Sequence, residues 1–219
     1  MKPRILLLTG PQGSGNHVFS KCLALHREVR GWHDLLDNYW IRHEFEPNVK
    51  IWRDANAVHD LDWQCSQYHV ISISCPFVDQ GETVIPDYAS VVKELGSVGA
   101  VTVGLIGRDE NILQHQESRL RGTHSYHQFL ALQEYFEQFD PVYLSTELLY
   151  LYRNHYLRSL VRQLNMPIDY NHPRLNDILR QDPNRKYTHY VEDQWLDSNK
   201  RYFEREGYAQ QQLGPNTQT

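Results

Sequence analysis

An apolar run, Arg4-Ile-Leu-Leu-Leu-Thr9, leads into a glycine-rich turn, Gly10-Pro-Gln-Gly-Ser-Gly15, and then into apolar residues at helical spacing: Val18, Phe19, Cys22, Leu23 and Leu25. A continuous apolar run this short reads as a strand covered on both faces, and the spacing predicts a helix from about residue 16 to 26. Strand, turn and helix in that order open a parallel α/β unit. The rest of the chain keeps the alternation. Strands are expected at 69–74, 100–106 and 141–145, with a shorter one near 29–32. Helices are expected after Pro86, with Tyr88, Val91, Val92 and Leu95 inward, after Asp109 as cap, and over 125–138. One long amphipathic helix is expected over 147–165, with two more near 172–181 and 192–206, and Asp34 is expected to cap a helix through Trp40. Residues 44–67 show no period and read as irregular, with one or two short helices. The expectation is one three-layer α/β sandwich with a mainly parallel central sheet over 1–209, and a disordered polar tail at 210–219.

Composition narrows the partners. Of 219 residues, 22 are Lys or Arg and 27 Asp or Glu, and a net charge of -5 argues against coating nucleic acid. The longest apolar run, Ile5 to Leu8, is too short to cross a bilayer, and the basic start at Lys2 to Arg4 meets a turn and no cleavage site. No membrane partner and no signal peptide are expected. Cys22, Cys65 and Cys75 are odd in number and share no C-x-x-C spacing, which fits a reducing cytoplasm better than a disulfide or zinc framework.

Gly10 to Gly15 has the G-x-x-x-x-G spacing of a phosphate loop, so the fold is expected to be P-loop-like. Glycines let consecutive amides turn toward one concavity, and the helix start adds partial positive charge. An anion is the natural occupant. The nucleoside-triphosphate version continues with Lys and then Ser or Thr; here those positions hold Asn16 and His17, which weakens the case for ATP and magnesium. A second anchor is Arg108, in Leu105-Ile-Gly-Arg-Asp109, at the end of an expected strand. There it faces the crevice where ligands of open α/β sheets sit, and its planar fork suits a phosphate. Gln116 and Ser118 follow on the next expected helix.

Three stretches in this order resemble the sulfotransferase family, which moves a sulfuryl group from 3'-phosphoadenosine 5'-phosphosulfate (PAPS). Pro11-Gln-Gly-Ser-Gly-Asn-His17 is similar to its 5'-phosphosulfate loop, Leu105-Ile-Gly-Arg-Asp-Glu-Asn-Ile112 to its 3'-phosphate strand, and Val142-Tyr-Leu-Ser-Thr-Glu-Leu148 to its late strand and helix. The resemblance implies PAPS as donor, no metal, and a hydroxyl or amine of a carbohydrate or small metabolite as acceptor. It implies Gln12, Gly13, Ser14, Gly15, Asn16 and His17 at the 5' end, and Arg108, Gln116, Ser118 and Arg185 toward the 3'-phosphate. The chain departs from the family at two places. The loop's cation aligns with Gly13, and Ser74, in Ser74-Cys-Pro76, stands where many members carry a catalytic histidine.

Sulfuryl transfer needs the donor held by both phosphates, the leaving charge stabilised and a proton removed from the acceptor. A protonated His17 would replace the missing loop cation, and His33, in Gly31-Trp-His-Asp34, would serve as base. Trp32, Tyr39, Trp40 and Trp52 are expected to pack together, and the His124/His127 pair lacks the companions of a metal site. Two other readings stay open: an ATP-dependent nucleotide or metabolite kinase-like protein, and a non-catalytic nucleotide-binding module.

Overall fold

A computed structural model describes residues 2–79, 82–116 and 125–180. These belong to the unit Met1–Gln181; the unit Asp182–Thr219, with the helix expected at 192–206 and the tail at 210–219, lies outside the described residues. In chain order the elements are β1 (Arg4–Gly10), α1 (Asn16–Ala24), β2 (Val29–Arg30), α2 (Val49–Arg53), β3 (Tyr68–Ser74), β4 (Phe77–Asp79), β5 (Glu82–Val84), α3 (Tyr88–Val98), β6 (Ala100–Gly107), α4 (Glu110–Gln116), α5 (Ser125–Glu137), β7 (Val142–Ser145), α6 (Thr146–Tyr152), α7 (Asn154–Leu164) and α8 (Pro173–Arg180). Four 3-10 turns, at His33–Leu36, His43–Phe45, Ala55–Asp60 and Trp63–Cys65, fill the stretch without a period.

Five strands form one parallel sheet in the order β2-β3-β1-β6-β7, with helices on both faces, so the fold is α/β as expected. The apolar run of β1 explains the layering. Leu6 and Leu8 point to one face and pack with Phe19 and Leu23 of α1, Leu149 of α6 and Leu157, Leu160 and Leu164 of α7. Ile5 and Leu7 point to the other and pack with Trp52, Val91 and Leu95 of α3, and Phe136 of α5. Period two on a strand covered twice leaves no polar face, and each such side chain contributes about 1.5–3 kcal/mol by leaving water.

Strand order also fixes where a ligand would bind. The chain leaves β1 toward β2 at one edge and leaves β6 toward β7 at the other. Diverging connections open a crevice at the carboxyl ends of β1 and β6. The glycine-rich loop and Arg108 are the segments at those two ends.

Two local expectations need correction. Asp34 caps no helix: it lies inside a 3-10 turn that starts at His33 and ends at Leu36. β3 ends at Ser74, before Pro76, and β4 and β5 follow as a separate two-stranded antiparallel hairpin. The long helix at 147–165 is two helices, broken at Arg153 with φ 46°. Ser145 Oγ caps α6 by accepting from Leu148 N, directly after β7, which sets that helix's direction. The leucines of α7 pack with Leu149 of α6 in the layer shared with α1 and α8. Neither Gly nor Pro marks the bend, so helical periodicity runs through it in the sequence.

Candidate functional site

The loop between β1 and α1 needs two left-handed glycines, Gly13 at φ 87° and Gly15 at φ 117°. A Cβ on Gly15 would also lie 2.4 Å from Thr146 Oγ1. Glycine alone accepts both demands. The residues that directly follow β6 and β7 then hold the loop by its carbonyls. Arg108 Nη1 donates to the Gly13 carbonyl, and Thr146 Oγ1 donates to the Ser14 carbonyl. The C=O and N–H of a trans peptide point opposite ways, so the Ser14–Thr146 bond turns the Gly15 amide away from β7. Ser14 N donates to Pro11 O at 3.0 Å. Among the described residues, the amides of Gly13, Gly15 and Asn16 meet no acceptor.

Three open amides at a helix start form an anion-binding arrangement, and α1 has no acidic residue in its first turn to neutralise it. Ser14 and Asn16 are buried, yet Ser14 Oγ and Asn16 Oδ1 make no hydrogen bond among the described residues. Buried polar atoms in native folds have partners in protein, water or ligand, so this loop is built for a polar occupant. Gln12, also buried, donates through Nε2 to Pro76 O at 3.3 Å and ties the loop to the turn after β3.

Arg108 is part-buried and faces the loop as its position at the strand end predicts. The turn after it is pinned as well: Asp109 N donates to Glu147 Oε1 at 3.0 Å, and Asp109 Oδ1 accepts from Ile112 N at 3.1 Å. Gln116 ends α4, with its side chain outside what is described; Ser118 and Arg185 lie outside the described residues altogether.

The histidines sort differently from expectation. His17, in the first turn of α1, has Nε2 2.9 Å from Ile41 O and its ring 5.2 Å from Trp32 and 4.8 Å from His43. His33 is exposed, with Nε2 3.0 Å from Val29 O, and does not join the loop. The histidine that arrives beside the loop is His43. Its Nε2 lies 2.9 Å from Ser74 Oγ, and Asn16 Nδ2 donates to the same oxygen at 3.2 Å. Ser74 Oγ accepts from Asn16 and shares a hydrogen bond with His43 whose proton sits on Ser74 or on His43 Nε2 according to the histidine tautomer. Ser74 ends β3 in register with Gly10, so the Asn16–Ser74–His43 chain runs from the loop along the carboxyl edge of the sheet. His43 sits in a stretch without periodicity, and its partner lies 31 residues on. The only trace in the sequence was Ser74 at the family's histidine position.

His43 follows a segment, residues 37–42, with no helix or strand of its own. Side chains hold this strap by its carbonyls: His17 at Ile41, Lys21 at Tyr39 (3.2 Å) and Arg174 at Leu36, where Arg174 also pairs with Asp37 at 3.1 Å. Burial, reinforced by the Arg174 charge, lowers the Lys21 pKa. The tryptophans do not form one packed group. Trp32 and Trp52 are buried, whereas Tyr39 and Trp40 on the strap are 63% and 54% exposed.

All three cysteines are free; burial pushes the Cys22 thiol up to about 12 and the Cys75 thiol to about 11, so neither is a thiolate nucleophile at neutral pH. Among the described residues no group of three His, Cys, Asp or Glu converges as a metal site, and no helix is long and apolar enough to cross a membrane.

No protein-family model matches the chain, and no curated protein matches it either. The solved structures similar in fold include the following two. One is the sulfotransferase domain of the Synechococcus PCC 7002 olefin synthase, at 14% identity and a TM-score of 0.44, over 85% of this chain and 83% of that one. The other is a sugar kinase from a Janibacter species, at 15% identity and a TM-score of 0.38, over 75% and 95%. Likeness at that level fixes no activity.

Proposed function

We propose that the loop binds the 5'-phosphosulfate of PAPS and that the protein transfers its sulfuryl group to a hydroxyl or amine of a carbohydrate or small metabolite. The observation that carries this reading is the loop's polarity. Its Gly13 and Ser14 carbonyls are tied to Arg108 and Thr146, and the amides of Gly13, Gly15 and Asn16 open at the start of α1. Position supports it too, because the loop lies where the sheet's connections diverge. His43 takes the role of base that the sequence assigned to His33. Its hydrogen bond to Ser74, next to the loop, supports that choice. Ser118 and Arg185 stay assigned to the 3'-phosphate on sequence grounds.

Calorimetry tests the reading directly. Adenosine 3',5'-bisphosphate is expected to bind without magnesium and to compete with PAPS. Binding of ATP that requires magnesium, with no binding of the bisphosphate, would replace this reading with a kinase-like one. Bisphosphate binding without sulfuryl transfer to any hydroxyl or amine tried would leave a nucleotide-binding module.

A further inference from the structure

We infer that Glu46 is a positioning residue for His43: it ties the 3-10 turn that carries the histidine to the outer edge of β3, and so sets the ring against Ser74. This rests on the reading above, in which His43 is the base. On one side β1 pairs with β3 along its whole length, from Tyr68 to Ser74. On the other side β2 pairs with Tyr68 and His69 alone. Among the described residues no strand continues along that edge, and two side chains reach it instead, from the turn at His43–Phe45 and from Glu46 that closes it. His43 Nε2 lies 2.9 Å from Ser74 Oγ, and Ser72 N donates to Glu46 Oε1 at 3.5 Å.

The link between the two residues is short and closed. Phe45 N donates to Arg42 O and Glu46 N to His43 O, both at 3.0 Å, so a displaced Glu46 carries His43 with it. On the far side of the turn, Glu46 Oε2 accepts from Asn48 N at 2.7 Å and Glu46 O accepts from Val49 N at 3.0 Å, at the start of α2. The side chain is buried, and burial raises its pKa to about 8. An apolar side chain would fill this place without that penalty; the acid instead holds two amides at once, one on β3 and one beside α2. The glycine-rich loop is tied by other bonds, from Arg108 to the Gly13 carbonyl and from Thr146 to the Ser14 carbonyl. A base must lie within hydrogen-bond reach of the proton it takes, so a small displacement of His43 lowers turnover and leaves donor binding alone.

Glu46→Leu fills the buried place with an apolar side chain and removes both acceptors, whereas Glu46→Gln keeps one. Thermal melts verify folding, and Glu46→Gln carries every comparison if Glu46→Leu does not fold. The first readout needs no turnover. The imidazole nitrogen resonances of His43, identified by their loss in His43→Gln, are expected to move in Glu46→Leu in the direction they move in Ser74→Ala, and to move less in Glu46→Gln. The second readout is sulfuryl transfer from PAPS with glucosamine as the acceptor. Turnover is expected to fall about 10- to 100-fold in Glu46→Leu and less in Glu46→Gln, with KM for PAPS and the affinity for adenosine 3',5'-bisphosphate unchanged. Added to His43→Gln, Glu46→Leu is expected to cost nothing further, because it acts through that histidine. His43 resonances that stay in place in Glu46→Leu, or an equal loss of turnover in both backgrounds, overturn the inference and leave the nucleotide reading intact. Wild-type protein that does not bind the bisphosphate ends the nucleotide reading, and the His43 resonances then decide by themselves whether Glu46 holds the ring.

Discussion

Gly15 combines a left-handed backbone with no room for a side chain. Its φ of 117° is closed to side chains, and a Cβ there would sit 2.4 Å from the hydroxyl that holds the Ser14 carbonyl. Gly15→Ala is therefore expected to cost about 1–3 kcal/mol in stability from the forced backbone alone. It should also cost at least tenfold in bisphosphate affinity, because losing the Thr146 bond lets the Gly15 amide turn. Gly96→Ala is the control: Gly96 lies in α3 with nothing within 4 Å of its Cβ position, and the change should stabilise by about 0.5–1 kcal/mol. Denaturant melts and calorimetry on the pair decide it; equal behaviour would mean that the loop's conformation is not what binds. At this scale the sequence revealed the positions that depend on chain geometry. Glycine spacing marked the loop, and a strand end marked Arg108. Partners chosen by tertiary packing left no such mark, which is why the sequence pointed to His33 and gave no sign of His43.

Elements with a clean apolar period were legible, because burial on a fixed face writes period two or 3.6 into the chain. β1, β3, β6, α1 and α3 all follow it. The strap at 37–42 does not, since its carbonyls are held by side chains of α1 and α8 and it needs no apolar face of its own. The bend at Arg153 was invisible for the opposite reason, a period continuing across two helices. The strap leads straight into His43, which meets Ser74 and carries the proposed role of base. His43→Gln keeps a polar group of similar reach and removes the proposed base. Turnover is expected to fall about 10²–10⁴-fold, with bisphosphate affinity unchanged and with partial recovery of His43→Ala by added imidazole. Full turnover in His43→Gln would return the search for the base to His33 or His17.

At the scale of the whole molecule, Glu46 is a buried carboxyl whose ionisation the fold opposes. The residue is 2% exposed, where the 3-10 turn carrying His43 runs into α2. It accepts from Asn48 N at 2.7 Å and reaches Ser72 N on β3 at 3.5 Å. Burial dominates these bonds and raises its pKa to about 8. The folded state therefore holds a proton at neutral pH that the unfolded chain, with its carboxyl near 4.5, has released. Stability must then fall with rising pH through the interval between those values, since the folded state binds more protons there. Below about 4.5 both states are protonated and the contribution is complete; above about 8 it is gone. Glu46→Gln keeps the hydrogen-bonding shape without the ionisation. The difference in melting temperature between the variant and the wild type should widen steadily from pH 5 to pH 8.5, with the variant gaining. Parallel curves over that range would show that Glu46 is already ionised in the fold, and that water reaches the turn which sets His43 against the sheet.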